Sequence, residues 1–112
     1  MDERARRVGE NEALFRAVNE EVRALDARFG ARPRTEHVTI LCECGRADCM
    51  EHLELRPEEY EEVRDAGTLF AIKPGHEEPD VEDVIGRRER YWTVRKHEGE
   101  PAELARAEDP RG

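Results

Sequence analysis

Long apolar runs are missing from this sequence, and no stretch approaches the ~20 residues that a membrane-spanning helix needs. That excludes a helical membrane protein. The opening Met1-Asp2-Glu3-Arg4 is polar and lacks the apolar core of a secretory leader, so the expected compartment is cytoplasmic. Cysteine is scarce and odd in number, three residues crowded between Cys42 and Cys49, and three thiols cannot pair into a disulfide framework without a remainder. Aromatic residues make up 5% and apolar residues 37% of the chain, against 42% charged. A chain of this size buries only about two thirds of its surface, so its core must be thin, and a bound metal is one of the usual staples for such a core. Lysine is nearly absent: Lys73 and Lys96 are the only two among 19 basic residues.

What is present fits one domain of 112 residues. The net charge of −9 is unevenly spread. Residues 1–35 carry 8 basic and 7 acidic groups, and residues 36–112 carry 11 and 21. An acidic body repels phosphate backbones, which disfavours non-specific nucleic-acid binding.

Periodicity gives a coarse map. Leu14, Phe15, Val18, Val22, Leu25 and Phe29 recur at three- and four-residue steps and predict a helix from an Asn11 N-cap to a Gly30 C-cap. Such a stripe is ordinarily a core face, and otherwise a partner-binding or dimerising one. Ala31 to Arg34 read as a linker. Val38, Ile40 and Cys42 alternate onto one side of a strand, and Leu53 and Leu55 do so in a second. Pro57 opens a short helix with Glu58 and Glu59 in its first turn and Tyr60 and Val63 facing inward, ended by Gly67. Residues 68–73 read as a strand, and Pro74-Gly75 as a turn. Residues 81–86 and 91–96 are expected to pair as a hairpin across Arg87–Arg90. The predicted fold is α+β, a long N-terminal helix packed on a small, mostly antiparallel sheet with a zinc-bound loop. Its expected parts are an N-terminal segment (1–10), a single zinc-binding domain (11–97) and a flexible tail (98–112).

Cys42-Glu43-Cys44-Gly45-Arg46-Ala47-Asp48-Cys49 carries the strongest chemical signal. Zinc takes four tetrahedral sulfur or nitrogen ligands, and thiolates at short spacing wrap it in a tight turn that Gly45 permits. The Cys-x-Cys-x4-Cys spacing resembles the zinc-binding segment that follows the catalytic domain of SET methyltransferases, a likeness of eight residues that implies nothing about methyl transfer. Three cysteines and a histidine also serve the CDGSH-type [2Fe–2S] proteins, but their Pro-x-Cys-Asp-Gly-Ser-His run is absent here. Zn(2+) is therefore the expected cofactor. For the fourth ligand, His52 closes the site locally and His76 closes it from the Pro74-Gly75 turn, and spacing does not separate them. Glu43, Asp48 and Glu51 are read as solvated surface charge. No phosphate loop, nucleophile elbow or His-Glu-x-x-His run is present, so no catalytic residue is assigned.

The Asn11-to-Glu20 helix segment, Cys42-Glu43-Cys44-Gly45…Cys49, Glu59-Tyr60-Glu61-x-Val63-Arg64 and Pro74-Gly75-His76-Glu77 together resemble a group of short actinobacterial proteins. The resemblance covers most of the chain and brings no activity with it. In that group the cysteine run travels with Pro-Gly-His, which implies Cys42, Cys44, Cys49 and His76 as the metal ligands.

Arg87, Arg88, Arg90, Arg95 and Lys96 are opposed only by Glu89 and interleaved with Tyr91 and Trp92. Such a strip pairs with the chain's own acidic surface, contacts another protein or neutralises phosphates and stacks bases. The leading expectation is a non-enzymatic, zinc-stabilised interaction or regulatory module. Its partner is another protein, met through the Leu14/Phe15/Val18/Val22/Leu25/Phe29 face or the Arg87–Lys96 hairpin, with a homodimer as a further option. The alternatives are an RNA- or DNA-contacting zinc module using residues 87–96, and a thiol redox sensor that releases its zinc.

Overall fold

The computed structural model describes residues 1–29 and 37–112, with the side chains of 26–29 outside the description. The expected Gly30 cap, the Ala31–Arg34 linker and the Phe29 side chain fall outside the described residues. Eight elements follow in order: α1 (Glu3–Phe29), β1 (Val38–Leu41), β2 (His52–Leu55), α2 (Pro57–Val63), β3 (Leu69–Ile72), β4 (Glu82–Arg87), β5 (Trp92–Lys96) and α3 (Glu100–Ala107). The fold is α+β, as the sequence predicts. The strands form two antiparallel sheets, β1-β2 and β3-β5-β4.

Alternation places the strands well. Val38, Ile40, Cys42, Leu53 and Leu55 are all buried, and Val38 pairs with Leu55 and Ile40 with Leu53 across the ladder. β3 is buried along its whole length, Leu69 to Ile72, so its two faces are both covered rather than one. The hairpin forms with Val84 opposite Val94. A bulge between Val84 and Gly86 turns Ile85 outward, where it is 45% exposed. In α2, Pro57 stands at the start, the Glu59 side chain accepts the Arg56 N–H at 2.8 Å, and Tyr60 and Val63 face the core. The buried groups among these join one cluster with Phe70, Ile72, Tyr91 and Val94, against which Val84 packs.

Three expectations are corrected. α1 begins well before Asn11: the Asp2 carboxylate accepts the Ala5 N–H at 2.7 Å and caps the helix there. Residues 98–112, expected as a loose tail, carry α3, whose Ala102 and Ala105 are buried. Small side chains there let α3 lie close against α1; a Cβ at Gly9 would sit 2.7 Å from Leu104. The third correction concerns which way α1 faces. Leu14, Val18, Val22 and Leu25 are 58, 39, 40 and 48% exposed, while Glu12, Arg16 and Asn19 are buried to 1% or less. The helix docks through these polar groups together with Val8 and Ala13, and turns Leu14, Val18, Val22 and Leu25 outward while Phe15 stays half-buried.

That docking is specific. Asn19 brackets the end of β1, its Nδ2 donating to the Leu41 carbonyl at 3.0 Å and its Oδ1 accepting the Leu41 N–H at 2.8 Å. Arg16 donates to the carbonyls of Gly67 (2.6 Å) and Ala105 (2.7 Å), with its guanidinium 4.5 Å from the centre of the Phe70 ring. Glu12 and Glu82 share Lys96, whose Nζ lies 2.6 and 3.3 Å from their carboxylates. Each contact supplies a partner for a group whose burial is otherwise costly.

Candidate metal centre

The loop between β1 and β2 carries the three cysteines, and the turn after β3 brings His76 to them. Gly75 takes φ +89°, a backbone conformation that residues with a side chain rarely adopt. The His76 N–H closes the turn on the Lys73 carbonyl at 3.0 Å. Gly45 is required for a different reason: a Cβ there would collide with Val8 of α1. Asn11 holds the same point from above, its Nδ2 donating to the Gly45 carbonyl at 3.0 Å. Asn11 is thus a helix-to-loop tether rather than a cap.

The ligand atoms of Cys42, Cys44, Cys49 and His76 all lie within 4.8 Å of one another. His76 Nδ1 is 3.6 Å from Cys42 Sγ and 3.7 Å from Cys49 Sγ. A tetrahedral zinc, about 2.3 Å from sulfur and 2.0–2.1 Å from nitrogen, sets a sulfur–nitrogen edge of roughly 3.5 Å. The four residues therefore form a cluster able to hold a metal ion. His52 stands exposed at the start of β2 opposite Leu41 and is outside the cluster. His37 is exposed, and His97 Nε2 lies 3.2 Å from Asp83 Oδ1.

Each sulfur also faces a backbone N–H. Lys73 N donates to Cys42 Sγ at 3.1 Å, and the amides of Arg46 and Glu51 serve Cys44 and Cys49. Such donors stabilise thiolate charge. The thiols divide the proton among themselves. A hydrogen bond from Cys42 draws the Cys44 pKa down to about 5, and its thiolate in turn raises Cys42, with burial adding to that rise. Burial raises Cys49. The crowded sulfurs thus share protons as a group, and the backbone N–H donors around them favour thiolate charge for a cation to meet.

Glu43, read from sequence as solvated, is fully buried between two of the cysteines. One oxygen accepts from Arg64 Nη2 at 2.7 Å and from the Ala71 N–H at 3.0 Å, and the other accepts from Asn19 Nδ2 at 2.8 Å. The Glu43 N–H donates to the Ala71 carbonyl at 2.8 Å. One side chain therefore ties the cysteine loop to α1, α2 and β3. Asp48 and Glu51 are exposed, as expected.

The basic strip is largely taken up within the chain. Lys96 is buried with Glu12 and Glu82, Arg90 lies 3.3 Å from Glu54, Arg88 lies 3.7 Å from Glu62, and Arg87 stacks 4.9 Å from the Trp92 ring. Among the described residues no helix is long and apolar enough to cross a membrane. No protein-family model matches the chain, and neither a curated protein nor a solved structure was found to be similar to it.

Proposed function

We propose that the chain is a small zinc-stabilised, non-enzymatic module that acts by contact with another protein. The observation that carries this reading is the closed ligand set: three thiolates and one imidazole at tetrahedral spacing. A catalytic zinc keeps one position open for water, whereas a structural one is filled by four sulfur or nitrogen ligands. Three thiolates also load the ion with negative charge and blunt it as a Lewis acid. Zinc is favoured over a two-iron cluster because the ligand atoms crowd within 4.8 Å of one another, around room for a single ion, and the Glu43 network gives the metal loop a structural role. The outward apolar stripe of α1 supports the interaction role.

The experiment is elemental analysis of gently purified protein. About one zinc per chain without visible colour is expected, and an iron–sulfur absorbance band or no stoichiometric metal would refute the reading. The redox alternative has one observation in its favour: Cys49 is only part-buried, beside a Met50 that is 81% exposed. Zinc release at near-stoichiometric peroxide would mark that mode.

A further inference from the structure

Leu14, Val18, Val22 and Leu25 are four of the seven large apolar side chains exposed among the described residues. The other three lie apart from these: Met1 ahead of α1, Met50 in the cysteine loop and Ile85 in β4. The four follow at steps of four, four and three along three turns of α1, a ridge about 17 Å long at the rise of an α-helix. A ridge with that spacing packs best into the groove of another helix.

Among the described side chains, the ridge is flanked mainly by acidic groups. Glu10 and Glu21 are exposed on one flank. Beside Leu14, a groove of about 300 Å³ runs between α1 and the end of α3, floored by Ala13 and Ala17 with Glu10 and Glu108 at its lips. An apolar floor with carboxylate lips suits a lysine or arginine, whose aliphatic stem covers the alanines while its head meets the glutamates. Among the described side chains, Arg7, two turns before Leu14, is the basic group in line with the ridge. A second copy of the chain is a poor occupant, because among the described side chains it offers only Arg7 on this face to meet Glu10, Glu21 and Glu108.

We infer that the outer face of α1 docks an amphipathic helix of another protein, apolar along its ridge and flanked by lysine or arginine. This rests on the proposed interaction role and names its partner chemistry. The test uses the full zinc-loaded chain and a synthetic helical peptide of roughly 18 residues with leucine at heptad positions a and d and lysine at e and g. A second peptide carries glutamate in place of lysine. The lysine peptide should bind saturably at one per chain, and Val18→Asp with Val22→Asp should weaken it about tenfold or more.

Those substitutions make the chain more acidic, so mere charge attraction would instead tighten binding. Glu10→Lys with Glu108→Lys should lower affinity for the lysine peptide and raise it for the glutamate one. Equal binding of both peptides, undiminished binding by the aspartate variant, or stripe-dependent dimerisation of the free chain in sedimentation equilibrium would overturn the inference. Zinc content and near-ultraviolet circular dichroism of each sample separate this failure from failure of the metal centre.

Discussion

Pro74 fixes its own φ, Gly75 takes a φ of +89°, and together they turn His76 back toward Cys42 and Cys49. His52 lies only three residues beyond Cys49 in sequence, yet β2 pairing with Leu41 holds it at an exposed ladder position. Sequence spacing alone cannot separate these two histidines, because a strand that begins at His52 spends that residue on register. His76→Ala should therefore lose zinc far more readily than His52→Ala when both are titrated against a competing chelator. Removal of one imidazole from a four-ligand site typically costs well over the 10–100-fold seen for outer-shell changes. Equal retention would show that the ion sits elsewhere. Glu43 was illegible for a related reason. Between two cysteines in a charged loop it reads as surface, and only the convergence of Asn19, Arg64 and Ala71 makes its burial affordable.

At the scale of elements, the strands and α2 were readable because alternation and a helix-opening proline act locally. α1 was readable as a helix but not as to facing. Glu12, Arg16, Asn19 and Arg23 repeat at steps of four, three and four, as regular as the apolar stripe. A hydrophobic stripe is the usual inner face, yet here hydrogen-bond partners in β1, in α3 and in β5 await the polar one. The Glu12–Lys96–Glu82 triad makes this testable by pH. One ammonium faces two buried carboxylates, and Glu12 is pushed well above the ordinary carboxylate range, chiefly by burial and then by Glu82. The folded chain thus keeps a proton that the unfolded chain releases above about pH 4.3.

A raised acid pKa gives a contribution that is complete below the unfolded value and is lost as pH rises toward the folded one. Glu12→Gln cannot ionise, so its stability relative to the parent should increase with pH, by up to about 1.4 kcal/mol per pH unit while Glu12 is protonated only in the folded state. Paired urea midpoints from about pH 5.5 to 8 with excess zinc would show it. A difference constant with pH would mean that Glu12 is ionised throughout. Truncating Lys96 instead should be harmful at every pH, because two buried carboxylates then lose their cation.

For the whole molecule, the metal loop is the meeting point of α1, α2 and β3. Zinc-binding free energy in small domains runs to roughly 10–16 kcal/mol at neutral pH, against about 5–15 kcal/mol of net stability for an ordinary domain. With so small an apolar core, removal of the ion should unfold the sheets around Val38, Ile40, Leu53, Leu55, Phe70 and Ile72. The measurement is a chelator titration followed by near-ultraviolet circular dichroism, with Trp92, Tyr60 and Tyr91 as reporters. An unchanged signal and thermal midpoint after proven zinc loss would show that the metal does not hold the fold.

The orientation of α1 also bears on how its sequence can drift. Along an ordinary surface helix, selection guards the oily positions and lets the charged ones wander. Here the inner seam is built largely of hydrogen-bonding groups, so Asn19 can be exchanged only for a residue that offers both an amide oxygen and an amide nitrogen at that reach. The outer leucines and valines are free of any such demand from the fold itself. Whatever keeps them oily in a lineage is then pressure from outside the chain, and a substitution map of this helix would chart that pressure separately from folding.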